Sequence, residues 1–266
     1  MSDDRRSDKA PVAPAAGDEI LRSHRGDRAI ILARIDDRFE LRTLDERPGQ
    51  GVGSAIPEML GRPLDRSHPL VRIIGGLGSH PGPIVDATAG LGGDAAIAAL
   101  ASERPVIACE SHPIMAAILE DGMLRARRAG LPGADRLMLR IGDAHRTLGT
   151  MPNTTSPSLV VVDPMFPARR RSSALPPKPM QRLRALLGEQ DRESVRGEVE
   201  ALLEAADRAG AARIVLKRPP DAATPESPLG TPTFEISTKL LRWSVWERGA
   251  TSSDRAAPAT HDGGDV

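Results

Sequence analysis

The sequence predicts an α/β fold in which a mainly parallel sheet of seven strands is covered by helices, with a small N-terminal extension. Short runs of almost entirely apolar residues recur along the middle of the chain, and segments with helical periodicity separate them. Strands that are apolar throughout are typical of parallel sheets buried on both faces. A glycine-rich segment follows the first of these runs, and acidic residues stand where several runs end.

The predicted elements begin with an N-terminal extension. Residues 1–18 are rich in Asp, Arg, Pro and Ala without periodicity, so we expect them to be disordered, as we do the polar tail 249–266. Residues 19–83 predict a small hairpin and a cover region. Its elements are strands at 29–34 and 39–42 and a helix at 69–75.

The main domain is predicted to span residues 84–248. The apolar runs predict strands at 84–86, 105–109, 137–141, 159–162, 213–217, 233–237 and 242–246. The periodic segments predict helices at 93–101, 113–129 and 193–209. No helix separates the last two strands, so they are expected to form a closing hairpin.

The composition limits the kinds of partner. The 36 Lys and Arg balance 36 Asp and Glu, so no global charge attracts nucleic acid and any RNA-binding surface must be local. The single cysteine, Cys109, excludes an intramolecular disulfide and a Cys-rich zinc site, and we expect no metal. No segment has the apolar length of a signal peptide core or a membrane span. These features predict a cytoplasmic protein that binds no membrane.

The segment 86–94, Asp-Ala-Thr-Ala-Gly-Leu-Gly-Gly-Asp, follows the first strand of the main domain. In such sheets ligands bind beyond the carboxyl ends of the strands, near the switch in strand order. Gly90 and Gly92 are expected to let the backbone turn tightly and approach a ligand. Glu110 ends the second strand, where a carboxylate can accept both hydroxyl protons of a ribose. Asp143 follows the third strand, where it can bind an adenine amine.

Two other interpretations of the segment 86–94 stay open. Residues 90–95 also fit the dinucleotide fingerprint G-x-G-x-x-[GA] of nicotinamide oxidoreductases, which cradles a pyrophosphate on helix N-terminal amides. Here Asp86 and Asp94 bracket the loop and would repel a pyrophosphate. S-Adenosylmethionine has no phosphate and carries an ammonium and a sulfonium, so the charges favour it. A glycine-rich turn without a ligand is the other alternative.

The second informative segment, 163–167, reads Asp-Pro-Met-Phe-Pro and follows the fourth strand. An Asp-Pro turn at a strand end offers a carboxylate and a constrained backbone carbonyl, which can accept the protons of an exocyclic amine. The segment is similar to the (D/N)PP(Y/F) motif of amino-methyltransferases, with Met165 in place of the second Pro. Asp163 and Pro164 are thus predicted to be catalytic, together with Phe166, which would stack on the base.

A basic strip follows this turn. Residues 168–184 contain six Lys and Arg and no acid, which suits the phosphates of RNA but is equally typical of a solvated loop. Lys217 and Arg218 end the fifth strand on the same predicted rim, where they would contact RNA or shape the pocket. The predicted substrate-binding residues are Arg169, Arg170, Arg171, Lys178, Lys217 and Arg218.

Taken together, these segments resemble the RsmJ family of small-subunit ribosomal RNA guanine-N2 methyltransferases over residues 84–246. The residues that carry the resemblance are Asp86-Ala-Thr-Ala-Gly-Leu-Gly92 with Asp94 and Ala95, Glu110, Pro113, Asp121-Gly122, Val162-Asp163-Pro-Met-Phe-Pro167, Ser173-Ala174-Leu175, Lys178, Met180, Leu187-Gly188 and Lys217-Arg218-Pro219. The Met inside Asp-Pro-Met-Phe-Pro and the Ser-Ala-Leu segment after it make the resemblance specific.

The resemblance implies a class I, Rossmann-like methyltransferase fold, S-adenosylmethionine as the cofactor, and a guanine near the 3′ end of the small-subunit RNA, naked or in the 30S subunit, as the substrate. The implied cofactor contacts are Asp86, Ala87, Gly90, Gly92, Gly93, Asp94, Glu110, Ser111, Asp143, Ala144 and Asp163. The chain departs from the family pattern at three places. Residues 61–68 stand where a basic, glycine-rich segment is expected. Gly93 stands where members often carry Arg, and Asp143 where some have a small hydroxyl residue.

Two other functions stay open at this point. The Asp-Pro-x-Phe turn does not specify the base, so methylation of adenine N6 or of another nucleic-acid amine is an alternative. A non-catalytic RNA-binding module that kept the fold is the second. The retained acidic and glycine residues argue against the module, because a site without chemistry has no need of them.

Overall fold

The computed structural model describes residues 19–21, 30–152, 155–167, 177–188 and 190–248. The strands are β1 (Glu19–Leu21), β2 (Ile30–Ile35), β3 (Arg38–Thr43), β4 (Ile84–Asp86), β5 (Val106–Glu110), β6 (Leu137–Ile141), β7 (Leu159–Val162), β8 (Arg213–Arg218), β9 (Phe234–Ser237) and β10 (Arg242–Glu247). The helices are α1 (Ile56–Leu60), α2 (Pro69–Gly75), α3 (Gly93–Ala101), α4 (Pro113–Arg128), α5 (Ala144–Gly149), α6 (Lys178–Leu187) and α7 (Arg192–Arg208).

The chain forms two compact units. The first comprises Met1–Ser54 with Arg169–Glu189, and the second comprises Ala55–Ala168 with Gln190–Val266. This division falls between Ser54 and Ala55, whereas the predicted main domain begins at residue 84. Helices α1 and α2 belong to the second unit because their apolar side chains, Ile56 and Leu70 among them, join its core. The predicted disordered ends, 1–18 and 249–266, lie outside the described residues.

The first unit contains the predicted hairpin. Strands β2 and β3 pair antiparallel around a turn in which Asp36 has a φ of +54°, and β1 pairs antiparallel with β2. Helix α6 also belongs to this unit. Its Lys178 and Arg182 form ion pairs with the carboxylate of Glu46 at 2.5 and 2.7 Å. Partial burial raises the pKa of Glu46, but hydrogen bonds from these two cations outweigh it and lower the pKa to about 2.

The second unit contains the predicted seven-stranded sheet, in the order β6-β5-β4-β7-β8-β10-β9. The five strands β4 to β8 run parallel, and β10 is antiparallel to both β8 and β9, which confirms the closing hairpin. The chain leaves β4 toward β5 and β6 and later returns to its other side as β7. The strand order therefore reverses at β4, and the crevice at its carboxyl end is the expected ligand site.

Both faces of this sheet are buried, as the apolar strands predict. Helices α1 to α4 contribute to one apolar cluster, which includes Ile84 and Val161, and α5 and α7 to the other, which includes Val85 and Val160. Alternate residues of one strand thus point into opposite layers. The periodic segments match α3, α4 and α7 to within one residue at each end.

Three helices were not predicted, and each has a physical reason. Helices α1 and α5 are five and six residues long, too short for a periodic pattern to emerge. Helix α6 has no fully buried side chain, so its basic sequence has the composition of a solvated loop. Among the described helices, none has the length and apolarity required to cross a membrane.

Candidate active site

The loop that follows β4 is fixed between the ends of two neighbouring strands. The N–H of Ala87 donates to the carbonyl of Val161 at 2.9 Å, and the N–H of Ala89 donates to the carbonyl of Cys109 at 3.0 Å. These bonds hold the loop at the carboxyl ends of β5 and β7. The predicted site residues that follow those strands are thereby brought to the edge of the sheet where the strand order reverses.

The three glycines of this loop have different roles. Gly90 and Gly92 have φ values of +53° and +86°, a backbone region that favours glycine. A Cβ on Gly92 would come within 2.6 Å of the side chains of Ile56 and Leu119, so this glycine allows helix packing. A Cβ on Gly93 would meet no atom within 4 Å, and one on Gly90 would meet only a carbonyl at 3.9 Å. Open space thus lies beside Gly90 and Gly93, whereas Gly92 is closely packed. The cofactor contacts predicted at Gly90, Gly92 and Gly93 stay predictions.

Glu110, at the end of β5, binds the backbone of the loop after β4 and of the segment after β5. One carboxylate oxygen accepts the N–H of Gly90 at 3.0 Å, and the other accepts the N–H of His112 at 2.8 Å. Burial raises the pKa of Glu110, and the backbone hydrogen bonds oppose that rise. Each oxygen keeps a lone pair with which to accept a further hydrogen bond.

Asp143, after β6, begins helix α5. Its Oδ1 accepts hydrogen bonds from the backbone N–H and the ring of His145 at 2.8 and 2.6 Å. Burial raises the pKa of Asp143, but these hydrogen bonds outweigh it and the net pKa is lowered. The side chain is 61% exposed, so its second oxygen can reach a ligand. Ala144 is buried in the first turn of α5, and Ser111 is exposed beside Glu110.

Asp86 is buried at the centre of the site. The residue is 2% exposed, and its Oδ1 accepts the N–H of Thr88 at 3.2 Å. Its Oδ2 has no hydrogen-bond partner among the described residues. Burial, followed by the charge of Asp94, raises the pKa of Asp86 to about 8. Both effects favour the protonated form of this carboxyl group.

The segment 163–167 is joined to the loop after β4 through a side chain. The N–H of Asp163 donates to the hydroxyl of Thr88 at 2.7 Å, so the two loops are fixed to each other. Pro164 is buried, and Phe166 is half-buried against the apolar cluster beneath the sheet. The carboxylate of Asp163 is 37% exposed and is the part of this segment that is open to a substrate.

Lys217 links the two carboxylates that flank this crevice. Its ammonium lies 2.7 Å from Asp94 Oδ2 and 2.5 Å from Asp163 Oδ2. The same ammonium lies 4.8 Å from the centre of the Trp243 ring, against which His68 packs edge-on at 5.6 Å. Burial disfavours the charged ammonium, but the two carboxylates outweigh it and raise the pKa of Lys217.

The chemistry of this edge fits S-adenosylmethionine. Buried polar atoms without a partner are rare and point to a missing ligand. Several lie in residues at this edge; within the described part of the chain they are Asp86 Oδ2, His112 Nδ1, His145 Nε2 and Trp243 Nε1. Glu110 could hold the ribose hydroxyls, the open backbone at Gly90 and Gly93 could admit the amino-acid part, and Asp143 could accept from the adenine amine. The described residues contain no cluster of metal-binding side chains.

Comparison with known proteins decides the family. A family model of SAM-dependent methyltransferases matches residues 58–248. The ribosomal RNA small subunit methyltransferase J of Edwardsiella ictaluri is 34% identical over 234 residues, which cover 84% of this chain and 88% of the relative. The enzyme of the same name from Nitrosococcus oceani is 35% identical over 183 residues, 68% of each chain. This chain belongs to the RsmJ family of SAM-dependent methyltransferases.

A solved structure supports the fold of this RsmJ family member. The crystal structure of a SAM-dependent methyltransferase from Neisseria gonorrhoeae is 25% identical, covers 82% of each chain and has a TM-score of 0.55. The predicted class I fold and the resemblance drawn from the sequence are confirmed.

Two residues predicted to contact RNA or shape the pocket, Lys217 and Arg218, are buried in this RsmJ family member. Lys217 is 8% exposed and paired with two carboxylates, so it is not free to bind phosphate. Arg218 is 2% exposed and donates to the hydroxyls of Ser244 and Thr224 and to the carboxylate of Glu235, which makes it a structural residue.

The other predicted RNA contacts, Arg169, Arg170, Arg171 and Lys178, stay predictions. Arg169, Arg170 and Arg171 lie outside the described part of the chain. Lys178 belongs to the first unit, where it is ion-paired with Glu46. Within the described part of the basic strip, Lys178 and Arg182 are both ion-paired with Glu46. RNA binding by the strip stays a prediction.

Sequence reasoning missed three residues of the site in this RsmJ family member. Thr88 joins the loops that follow β4 and β7. The Trp243 ring contacts the ammonium of Lys217, and the His68 ring packs edge-on against Trp243. The scarcity of aromatic residues in the chain was the only sequence signal for Trp243. A hydroxyl in the middle of the loop after β4 was the signal for Thr88.

Proposed function

We propose that this chain transfers the methyl group of S-adenosylmethionine to the exocyclic N2 amine of a guanine in small-subunit ribosomal RNA. The observation that carries the proposal is the exposed carboxylate of Asp163, held at the reversal of strand order beside the loop after β4. The names of the relatives, ribosomal RNA small subunit methyltransferase J, supply the class of substrate. Action on ribosomal RNA would place the protein in the cytoplasm.

The residues of the site suit the demands of this reaction. When bound, S-adenosylmethionine supplies a methyl group on a positively charged sulfur. An exocyclic amine is a weak nucleophile because its lone pair is delocalised into the ring. Asp163 can accept a hydrogen bond from an N–H of the amine and so orient the lone pair of the amine nitrogen. During transfer, positive charge would develop on the amine nitrogen, and the Asp163 carboxylate would stabilise it before the proton leaves to solvent.

The two carboxyl groups that bracket the loop repel a pyrophosphate less than the sequence suggests. Burial favours the protonated form of Asp86, and the carboxylate of Asp94 is paired with Lys217. The case for S-adenosylmethionine rests instead on the family, on the partly exposed anion at Asp163 and on the unpartnered buried atoms at this edge.

Calorimetry and methyl transfer together test the proposal. We expect S-adenosylmethionine to bind, and its labelled methyl group to enter small-subunit RNA or 30S subunits but not DNA oligonucleotides. Binding without transfer to either RNA would support the non-catalytic module. Absence of binding, with NADH bound instead, would favour an oxidoreductase.

Glu110→Gln is expected to raise the dissociation constant of S-adenosylmethionine about tenfold, because a hydrogen bond to a charged group contributes about 1.5 kcal/mol. The matched control is Glu120→Gln, an exposed position on α4. Isothermal titration calorimetry measures both, and melting temperatures show whether the fold is kept. An unchanged dissociation constant would mean that Glu110 only orders the backbone of Gly90 and His112.

A further inference from the structure

The cluster of charges around Lys217 is the part of the site that the proposed reaction leaves unexplained. Three carboxyl groups, Asp86, Asp94 and Asp163, lie close enough to influence one another, and Lys217 is the cation that contacts two of them. Lys217 comes from β8 and Asp94 from the first turn of α3, so the contact joins two separate elements.

We infer that Lys217 is the positioning residue of the reaction: its ammonium bridges Asp94 and Asp163, fixes the orientation of the Asp163 carboxylate and favours its charged form for the substrate amine. The bridge occupies Oδ2 of Asp163. Oδ1 has no hydrogen-bond partner among the described residues and is the oxygen left to accept from an amine. This inference rests on the proposed function. It assigns to Lys217 a role exerted through its contact with Asp163 and not through the substrate.

The surroundings of Lys217 favour this role over one in stability alone. The face of the Trp243 ring stands 4.8 Å from the ammonium, and Trp243 pairs with Lys217 across β8 and β10. An aromatic face attracts a cation and offers it no hydrogen bond. The Trp243 ring thus contacts the ammonium without taking up an N–H donor, and the donors stay directed at the carboxylates of Asp94 and Asp163.

The charged groups that face Asp163 determine the sign of the expected pH effect. They are Asp86 of β4, Asp94 of α3 and Lys217 of β8, and His68 before α2 acts on Asp94 and Lys217. Burial raises the pKa of Asp163, Lys217 lowers it and Asp94 raises it again, so that the net pKa is raised. Without the ammonium, the carboxyl group would take up a proton at still higher pH, and a proton on Asp163 would make it a weaker acceptor for the amine.

The first test is the pH profile of methyl transfer. In Lys217→Met we expect the acid limb of kcat to move upward by at least about one pH unit relative to the wild type. Lys217→Arg, which keeps the charge, should retain the wild-type limb even where kcat falls. The control Lys239→Met, at an exposed loop position, should change neither. An unmoved limb in Lys217→Met, with an active wild type, overturns the inference and leaves the proposed function standing.

The second test needs no substrate. Uncompensated buried carboxyl groups hold protons more tightly in the folded than in the unfolded chain, so their stabilising effect is lost as pH rises through the folded pKa. The melting temperature of Lys217→Met should therefore fall further below that of the wild type at about pH 8 than at about pH 6. A deficit that does not change with pH would contradict the inference. Calorimetric affinity for S-adenosylmethionine is measured in parallel and should change less than kcat.

A double variant keeps the test decisive if Lys217→Met folds poorly. Asp94→Asn with Lys217→Met removes one carboxylate together with the cation, so the remaining repulsion on Asp163 is smaller. Both the acid limb and the pH-dependent loss of melting temperature should then return toward the wild type. Failure of wild-type protein to methylate any RNA would count against the proposed function, whereas the melting data would still show whether Lys217 compensates the charge of the neighbouring carboxyl groups.

Discussion

Asp163→Asn is expected to lower kcat for methyl transfer about a thousandfold, the usual cost of removing a group that stabilises charge in the transition state. The asparagine fills the same volume, but its neutral oxygen is a weaker acceptor and it can turn an N–H toward the amine. The loop itself should stay in place, because it is the backbone N–H of residue 163 that binds Thr88. Affinity for S-adenosylmethionine should change by no more than about threefold, since the lost interaction belongs to the transition state.

Single-turnover kinetics and calorimetry separate these effects for Asp163. The control is Asp135→Asn, an exposed acid in the short turn before β6, which should keep both activity and affinity. If Asp163→Asn lost cofactor affinity and melting temperature in proportion to activity, Asp163 would be a structural anchor for Lys217 and not the acceptor of the amine protons.

Gly92→Ala is expected to destabilise the protein by about 3 kcal/mol. The new Cβ would lie 2.6 Å from Ile56 and Leu119, and overpacking of this kind costs about 1–3 kcal/mol. The φ of +86° adds about 1 kcal/mol for a residue with a side chain. For a unit of this size the melting temperature should fall by about 8 °C.

The neighbouring glycine provides the matched control. Gly93 begins α3 and has open space where its Cβ would lie, so Gly93→Ala should stabilise the protein by about 0.5 kcal/mol. Its cost, if any, should appear as weaker binding of S-adenosylmethionine. Normal melting of Gly92→Ala, combined with loss of cofactor affinity, would restore the interpretation that Gly92 is there for close approach to a ligand.

The strands and long helices could be predicted because their signals are local. The run Leu159 to Val162 is apolar at every position, and α4 repeats its apolar residues at helical spacing over sixteen residues. The order of Asp86, Glu110 and Asp163 along the chain also predicted their gathering at one edge, since parallel strands end on the same side.

What the sequence could not reveal depends on contacts between distant segments. Lys217 has the appearance of a phosphate contact until Asp94, 123 residues earlier in the chain, is placed beside it. Gly92 has the appearance of a ligand glycine until Ile56 is packed against it. A basic residue or a glycine has several physical uses, and only the three-dimensional neighbours decide which one applies.

The central claim is most directly tested by identifying the methylated nucleoside. Small-subunit RNA and 30S subunits are incubated with wild-type protein and labelled S-adenosylmethionine, digested to nucleosides and separated by liquid chromatography with mass analysis. We predict N2-methylguanosine, formed about a thousandfold more slowly when Asp163→Asn replaces the wild type. N6-methyladenosine as the product would contradict the assignment of the base, and no methylated nucleoside despite cofactor binding would contradict the reaction itself.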